Sequence, residues 1–285
     1  MNKVIKEEQE IKVVKNLEDL HKELFILLCE FDDFCKENNI KYSLTSGTLI
    51  GAIREKGFIP WDDDIDVMMD RENYEKFTEL CINKLNNDPK NPLKFDDYRF
   101  DCHYTLFFSR FVKTNVHVET RVQIDSHPYL YEGLCLDVFP FDYVNDSRIL
   151  KPFMNIYIKF LHSASRCKTL KIESIKTFIK KVLFFPFSRK FLRTRYRHLV
   201  YKGQNRYAQN KSVAICSFNF FRKNSIKTFY YDKDIFNEFV SVKFEGRDFP
   251  AIKGYDVFLR KIFGDYMVPP KGKERKPQHS CENKQ

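Results

Sequence analysis

The sequence predicts a mixed α/β (α+β) fold: a mixed sheet flanked by helices, with a basic helical insertion. Three observations lead there. Segments of helical and strand-like periodicity alternate up to residue 139. Residues 151–206 then hold fifteen Lys and Arg against one acidic residue, Glu173, with apolar clusters between the charges. Finally, 43% of the 285 residues are hydrophobic, with 29 Phe and 15 Tyr, enough for an aromatic-rich core in one large domain.

The elements follow in order. Residues 17–39 place Leu20, Leu24, Leu27, Leu28, Phe31, Phe34 and Cys35 at helical spacing, the pattern of an amphipathic helix. Ile40 to Leu44 is short and β-prone and reads as a strand. Ser46-Gly47 reads as a turn, and Thr48 to Lys56 as a short helix stopped by Gly57 and Pro60. A strand is expected over Ile65–Met69 and a helix over Arg71–Leu85. Residues 104–113 and 134–139 read as further strands, the second ended by Pro140. A strand pair with its turn at Glu245-Gly246 and a helix over 254–263 close the pattern.

The expected organisation is a polar lead (1–16), a catalytic core (17–150), a basic helical insertion (151–235), a returning part of the core (236–270) and a polar tail (271–285). The net charge of +10 favours anionic partners: nucleotides, phosphorylated polymers, or an acidic membrane surface. No RNA-binding motif accompanies the charge, so nucleic acid is not the expected partner. The eight cysteines form no C-x-x-C pair and read as reduced, mostly buried thiols of a cytoplasmic protein. The first sixteen residues are charged and lack an apolar core, so they do not read as a signal peptide, and no stretch is apolar enough to span a membrane. Peripheral contact with the inner face of a membrane is expected, if anywhere, through 151–206.

The stretch IPWDDDIDVMMD, residues 59–70, drives carboxylates against an apolar run. On a strand, Asp64 and Asp66 would share a face about 6–7 Å apart. At that distance they repel by roughly 2–3 kcal/mol at an effective dielectric near 20. A divalent cation turns that repulsion into chelation, and hard oxygen ligands select Mg²⁺ or Mn²⁺. Asp62 and Asp63 fit a solvated turn instead, and Asp70 fits a helix cap. Asp137, alone in the apolar stretch LCLDVF, is the natural third carboxylate, since an unpaired buried carboxylate needs a cation or a basic partner. The Gly-containing turn at 45–48 would offer backbone N–H groups to phosphate. Arg110 and Lys113 add positive charge near the end of their strand, or simply face solvent. Trp61 reads as packing beside the carboxylate strand, or else as stacking on a base or a choline.

The arrangement of a Gly-Ser/Thr turn, a D-x-D strand and a third Asp resembles the nucleotidyltransferase superfamily. More narrowly, SGTLIGAIREKGFIPWDDDIDV, LDVFPFD and IFGDYMVPP are similar to the LicD family of phosphocholine transferases, to which fukutin-related proteins are also similar. The resemblance covers about residues 18–145 and 240–280; the basic middle carries little of it.

It implies an enzyme that moves a phosphoalcohol, phosphocholine foremost, from a CDP-linked donor to a sugar hydroxyl of a cell-surface glycan. The glycan would be teichoic acid, lipooligosaccharide or capsule, and it could be lipid-linked. By the same resemblance Asp64 and Asp66 match a metal-binding pair, and Asp137 a third ligand or the base. Ser46, Gly47 and Thr48 match the turn that holds donor phosphates, and Arg54 a phosphate or glycan contact. Gly264 and Tyr266 would shape the turn after the last helix, and Lys273, Arg275 and His279 follow them at a looser spacing than the family pattern. Two other functions fit parts of the sequence: nucleotidyl transfer to a small molecule, protein or RNA, and non-catalytic binding at a membrane surface.

Overall fold

The computed structural model describes residues 11–99, 104–118, 131–168, 172, 174–215, 230–272 and 275–277. The expectations for Lys273 and His279 lie outside them. A short strand β1 (Lys12–Val14) precedes the first helix, α1 (Leu17–Glu37). The Asn16 side chain caps α1 by accepting from the Asp19 N–H at 2.9 Å. The anticipated apolar face, from Leu20 to Cys35, is buried.

The next strand, β2, is only Ser43–Leu44, shorter than expected because just these residues pair with the strand that follows. Helix α2 (Ser46–Arg54) begins two residues early, so Ser46 and Gly47 form its first turn rather than a separate loop. Strand β3 spans Asp66–Asp70, and Asp64 therefore lies in the segment leading into it rather than on the strand. Helix α3 (Arg71–Cys81) starts at the predicted cap, where Asp70 Oδ1 accepts from the Asn73 N–H at 2.7 Å. A π-type turn, Ile82–Asn86, takes up the rest of the predicted helix.

Strands β4 (Leu93–Asp96), β5 (Ser109–Lys113), β6 (Val116–Val118) and β7 (Leu134–Tyr143) complete the main sheet and its margin. The central order is β2-β3-β7-β5-β4, with β3–β7 parallel and the other neighbours antiparallel. β6 pairs in parallel with β1. Pro140 does not end β7. Its missing N–H costs no ladder bond on the β5 side, because that pairing stops at Val138. Beyond Pro140, β7 pairs with β8 (Ser212–Ala214), which in turn pairs with β9 (Tyr230–Asp232).

Residues 151–206 fall mostly within three helices: α4 (Leu150–Cys167), α5 (Ile175–Phe184) and α6 (Arg189–Tyr207). Two cores result. The larger joins α1, α3 and the sheet through Phe31, which meets Phe77 at 5.2 Å and Phe111 at 5.6 Å. The smaller lies under α4 and α6, where Phe107 stacks on Tyr196 at 4.1 Å beside Ile158 and Leu161. A hairpin of β10 (Phe239–Phe244) and β11 (Arg247–Ile252) turns at Glu245-Gly246 as the sequence predicts, both residues having positive φ. Helix α7 (Tyr255–Phe263) ends at Gly264, whose φ of 71° suits a glycine terminus. Among the described residues no helix is long and apolar enough to cross a membrane.

Candidate active site

The site forms where the N-terminus of α2 meets the start of β3. The two are stitched together in both directions: the Thr45 N–H donates to Asp66 O at 3.1 Å, and the Asp66 N–H donates to Thr48 Oγ1 at 2.9 Å. The Thr48 hydroxyl therefore places Asp66. Between them, Ser46 has a φ of 49°, a left-handed conformation that a non-glycine residue adopts only under local constraint. Its side chain hydrogen-bonds to Asp66. At Gly47, an added Cβ would stand 2.3 Å from Asp62 Oδ2, so the glycine is what lets that carboxylate close on the helix start.

On the sheet, Asp66 lies opposite Asp137 across the parallel β3–β7 pair. Asp137 lies opposite Arg110 on β5, whose Nε donates to Asp137 Oδ1 at 3.0 Å. Arg110 in turn lies opposite Asp96 on β4. Asp137 thus has the basic partner that its burial required, and Arg110 belongs to the carboxylate row rather than to solvent. Lys113 is not brought into this row: its Nζ binds Glu30 Oε1 at 2.6 Å.

The carboxylates act on one another. Burial first, then the charges of Asp64, Asp137 and Asp62, pushes Asp66 well above the usual carboxylate range, and the Ser46 hydrogen bond opposes the shift. Burial, then Asp64 and Asp63, pushes Asp62 up to about 8, with Arg54 opposing. Asp62 and Asp63 are thus part of the site's margin and not the solvated turn expected of them; Asp63 is buried. His21 fixes this loop from α1 by donating Nε2–H to Asp62 O at 2.7 Å, its ring stacked on Phe58 at 4.2 Å.

Arg54 supplies a facing cation. Its Nη1 donates to Tyr266 O at 2.7 Å and its Nε to Glu55 Oε1 at 2.6 Å, while Nη2 is buried without a partner. The Tyr266 contact ties the IFGDYMVPP segment to the SGT helix, two stretches far apart in sequence. The Thr45 and Tyr104 hydroxyls are also buried without partners. The charges of Arg110 and Asp137 act on Tyr104, which places its ring near their ion pair. Trp61 packs against the main core, and the Arg275 guanidinium lies over its ring at 5.3 Å.

Four side chains at this site are not expected there from the sequence. Asp96 carries the same signal as Asp137, an acidic residue at the end of an apolar stretch, but 93–96 was not read as a strand. Asp62 was assigned to a solvated turn. Thr45 and Tyr104 give no pattern that distinguishes them from other hydroxyl residues.

The donor set suits a hard divalent cation: all three of Asp64, Asp66 and Asp137 offer oxygen. Burial pushes the neighbouring Cys135 thiol up to about 12, which disfavours a soft thiolate ligand. Among the described residues no three His, Cys, Asp or Glu side chains are arranged closely enough to hold a metal ion as they stand. A positive ligand would relieve the raised Asp66, and Asp64 lies at the edge of the set, on the lead-in to β3.

A helix N-terminus closing on paired aspartates of a mixed sheet defines a nucleotidyltransferase-type domain. Residues 39–164 match the family model described as LicD/FKTN/FKRP, nucleotidyltransferase domain. The chain is 28% identical over 261 residues to the lipopolysaccharide cholinephosphotransferase LicD of Haemophilus influenzae, covering 90% of this chain and 93% of that one. A shorter match, 40% identical over 57 residues, links 20% of the chain to 18% of an uncharacterized protein of Rickettsia typhi. Residues 39–164 are thus a LicD-type nucleotidyltransferase domain, and the chain is a LicD-like phosphotransferase.

Proposed function

We propose that the protein transfers phosphocholine from a CDP-linked donor to a sugar hydroxyl of a cell-surface glycan, with Mg²⁺ or Mn²⁺ as cofactor. The observation that carries this reading is the unpartnered Arg54 Nη2 beside the buried carboxylates: an anion donor next to a cation site is what a metal-bound pyrophosphate needs. The relative's printed activity, lipopolysaccharide cholinephosphotransferase, supports choline as the alcohol and a lipopolysaccharide sugar as the acceptor.

In this reading the residues divide the work as follows. Arg54 Nη2, the Thr45 hydroxyl and the N–H groups at the start of α2 hold the donor phosphates. The acceptor oxygen attacks the phosphocholine phosphorus, the phosphorus–oxygen bond to CMP breaks, and the acceptor proton passes to Asp137. Arg110 orients that carboxylate. A divalent ion held by Asp64, Asp66 and Asp137 would supply charge neutralisation for the pyrophosphate and the departing CMP. Lys113 and Thr48 serve by holding α1 and β3 in place.

The test is thermal stability with Mg²⁺ or Mn²⁺ against CDP-choline, CDP-ethanolamine, CDP-glycerol, CDP-ribitol and CTP, followed by transfer assays on the ligand that binds. A ligand that binds only the native state raises its stability by mass action. A metal-dependent shift with CDP-choline is expected. A shift with CTP alone would replace this reading with nucleotidyl transfer, and no shift with any of them would leave non-catalytic binding.

A further inference from the structure

Helix α5 has no buried residue, yet it is rich in large apolar side chains. At about 100° per residue, Ile175, Phe178, Ile179, Val182, Leu183 and the following Phe185 fall within an arc of roughly 160°. All six are exposed, Ile175 at 80% and Phe185 at 82%. Lys176 and Lys180 border one side of the arc and Lys181 the other. The opposite side points inward, where Phe184 meets Phe160 of α4 at 5.7 Å and Lys168 Nζ donates to Phe184 O at 2.8 Å. An ordinary surface helix buries its apolar stripe; α5 turns its stripe away from the protein.

The adjoining helix α4 repeats the pattern. Ile158 and Leu161 are buried in the smaller core, while Phe153 and Ile156 on its outer side are 66% and 63% exposed. Ile149 and Leu150, at its start, extend the exposed row. Exposed apolar surface on this scale marks an interaction site. Charge selects the occupant. The segment from 151 to 206 carries fifteen basic residues and one acidic residue, so a second copy of the same face would meet strong like-charge repulsion. A surface both apolar and anionic fits, and since no described helix is built to cross a bilayer, the contact lies in its interface.

We propose that α4 and α5 form a docking face for an anionic lipid bilayer, with the apolar arc of α5 among the acyl chains and its bordering lysines at the headgroups. This inference is independent of the transferred group and of the metal.

The test is flotation of the full-length chain with vesicles of phosphatidylcholine alone and of equal parts phosphatidylcholine and phosphatidylglycerol. The wild type should float with the anionic vesicles, more weakly as salt rises, and little with the neutral ones. Lys176→Gln with Lys180→Gln should weaken binding about thirtyfold, about fivefold for each cation removed. Ile179→Glu with Leu183→Glu should weaken it by more than about tenfold. Because all four side chains are exposed, thermal unfolding of both variants should match the wild type. The proposal is overturned if the wild type does not prefer anionic vesicles, or if both variants float as well as it does. It is equally overturned if the glutamate variant splits a dimer in vesicle-free solution while the wild type fails to float.

Discussion

Asp66 and Asp137 are directly opposed partners on two parallel strands, and the pairing continues through Arg110 to Asp96, so one charged row crosses four strands. Neighbouring strands lie about 4.8 Å apart, close enough for like charges to destabilise the sheet. Arg110 compensates the middle of the row. Asp66 lies at the other end, where the charges of Asp64 and Asp62 add to its shift and the Ser46 hydroxyl and the α2 N-terminus oppose it. The fold therefore keeps a cluster of like charges that works against its own stability, and the proposed cation would relieve it.

Asp66→Asn should separate those two effects. Without metal the variant should be more stable than the wild type by about 1 kcal/mol, roughly 2–4 °C in Tm, because a buried like charge is removed. With Mg²⁺ or Mn²⁺ it should show no stabilisation, and transfer should fall by more than about a hundredfold. Thermal unfolding in EDTA and in metal, beside a transfer assay, reads both. A metal-induced shift equal to that of the wild type would remove Asp66 from the metal site.

Two glycines in α2 should respond differently to alanine. At Gly51 a Cβ would meet Gly57 O at 2.4 Å and Ile59 N at 3.3 Å, both backbone atoms that cannot move aside cheaply. Gly51→Ala should cost about 1–3 kcal/mol of stability. At Gly47 the obstacle is the Asp62 carboxylate, which can rotate away. Gly47→Ala should leave the unfolding free energy within about 1 kcal/mol of the wild type, helped by alanine's helix propensity, while kcat/KM drops about tenfold or more as Asp62 is displaced. Wild-type activity in Gly47→Ala would show that the closeness of Asp62 to α2 does not matter for transfer.

The helices were legible because each has a periodic apolar face or a cap. The faces of α1 and α3, the Asp70 cap and the basic helices all follow from local pattern. The short strands were not. β1, β4, β6, β8 and β9 have three or four residues each, too few to show a period, and they are defined by partners distant in sequence. β7 outran its predicted end because the cost of a proline in a strand depends on whether a neighbour needs its N–H, which sequence does not show. At the site, the aspartates stood out by type and spacing. Arg54 gave no sign that one nitrogen would be left buried, since that depends on the Tyr266 carbonyl far along the chain. Lys113 looked equivalent to Arg110, yet the two sit three residues apart on a strand and so point to opposite faces.

Arg54→Lys keeps the charge and removes the fork. A lysine has one nitrogen to divide between Tyr266 O, Glu55 and a bound phosphate, where the guanidinium meets all three. Transfer should fall about tenfold or more, chiefly as a rise in KM for the CDP-linked donor. Steady-state kinetics with donor varied at saturating acceptor will show it. An unchanged KM with a lowered kcat would move Arg54 from donor binding to a role in the transition state.

The strongest structural effect is expected at Asp142, far from any proposed chemistry. Arg71 and Asp142 form a two-pronged ion pair, Nε to Oδ1 at 2.7 Å and Nη2 to Oδ2 at 3.0 Å, with both side chains almost fully buried. Gln204 Nε2 on α6 also donates to Asp142 Oδ1 at 3.0 Å, so the same carboxylate joins α3, β7 and the basic helices. Asp142→Ala leaves the Arg71 guanidinium buried with Glu75, at 3.2 Å, as its one remaining acidic contact among the described residues. Such a break should cost about 3–5 kcal/mol. Replacing both members, Arg71→Met with Asp142→Leu, should recover most of that loss, because the penalty comes from the orphaned charge and not from the absence of the pair. Urea unfolding of the two single variants and the double variant measures the coupling. Hydrogen exchange in Asp142→Ala should rise along α6 as well as α3, because the link through Gln204 is lost. A double variant as unstable as Asp142→Ala would mean that the pair itself, and not the stranded arginine, holds the two layers together.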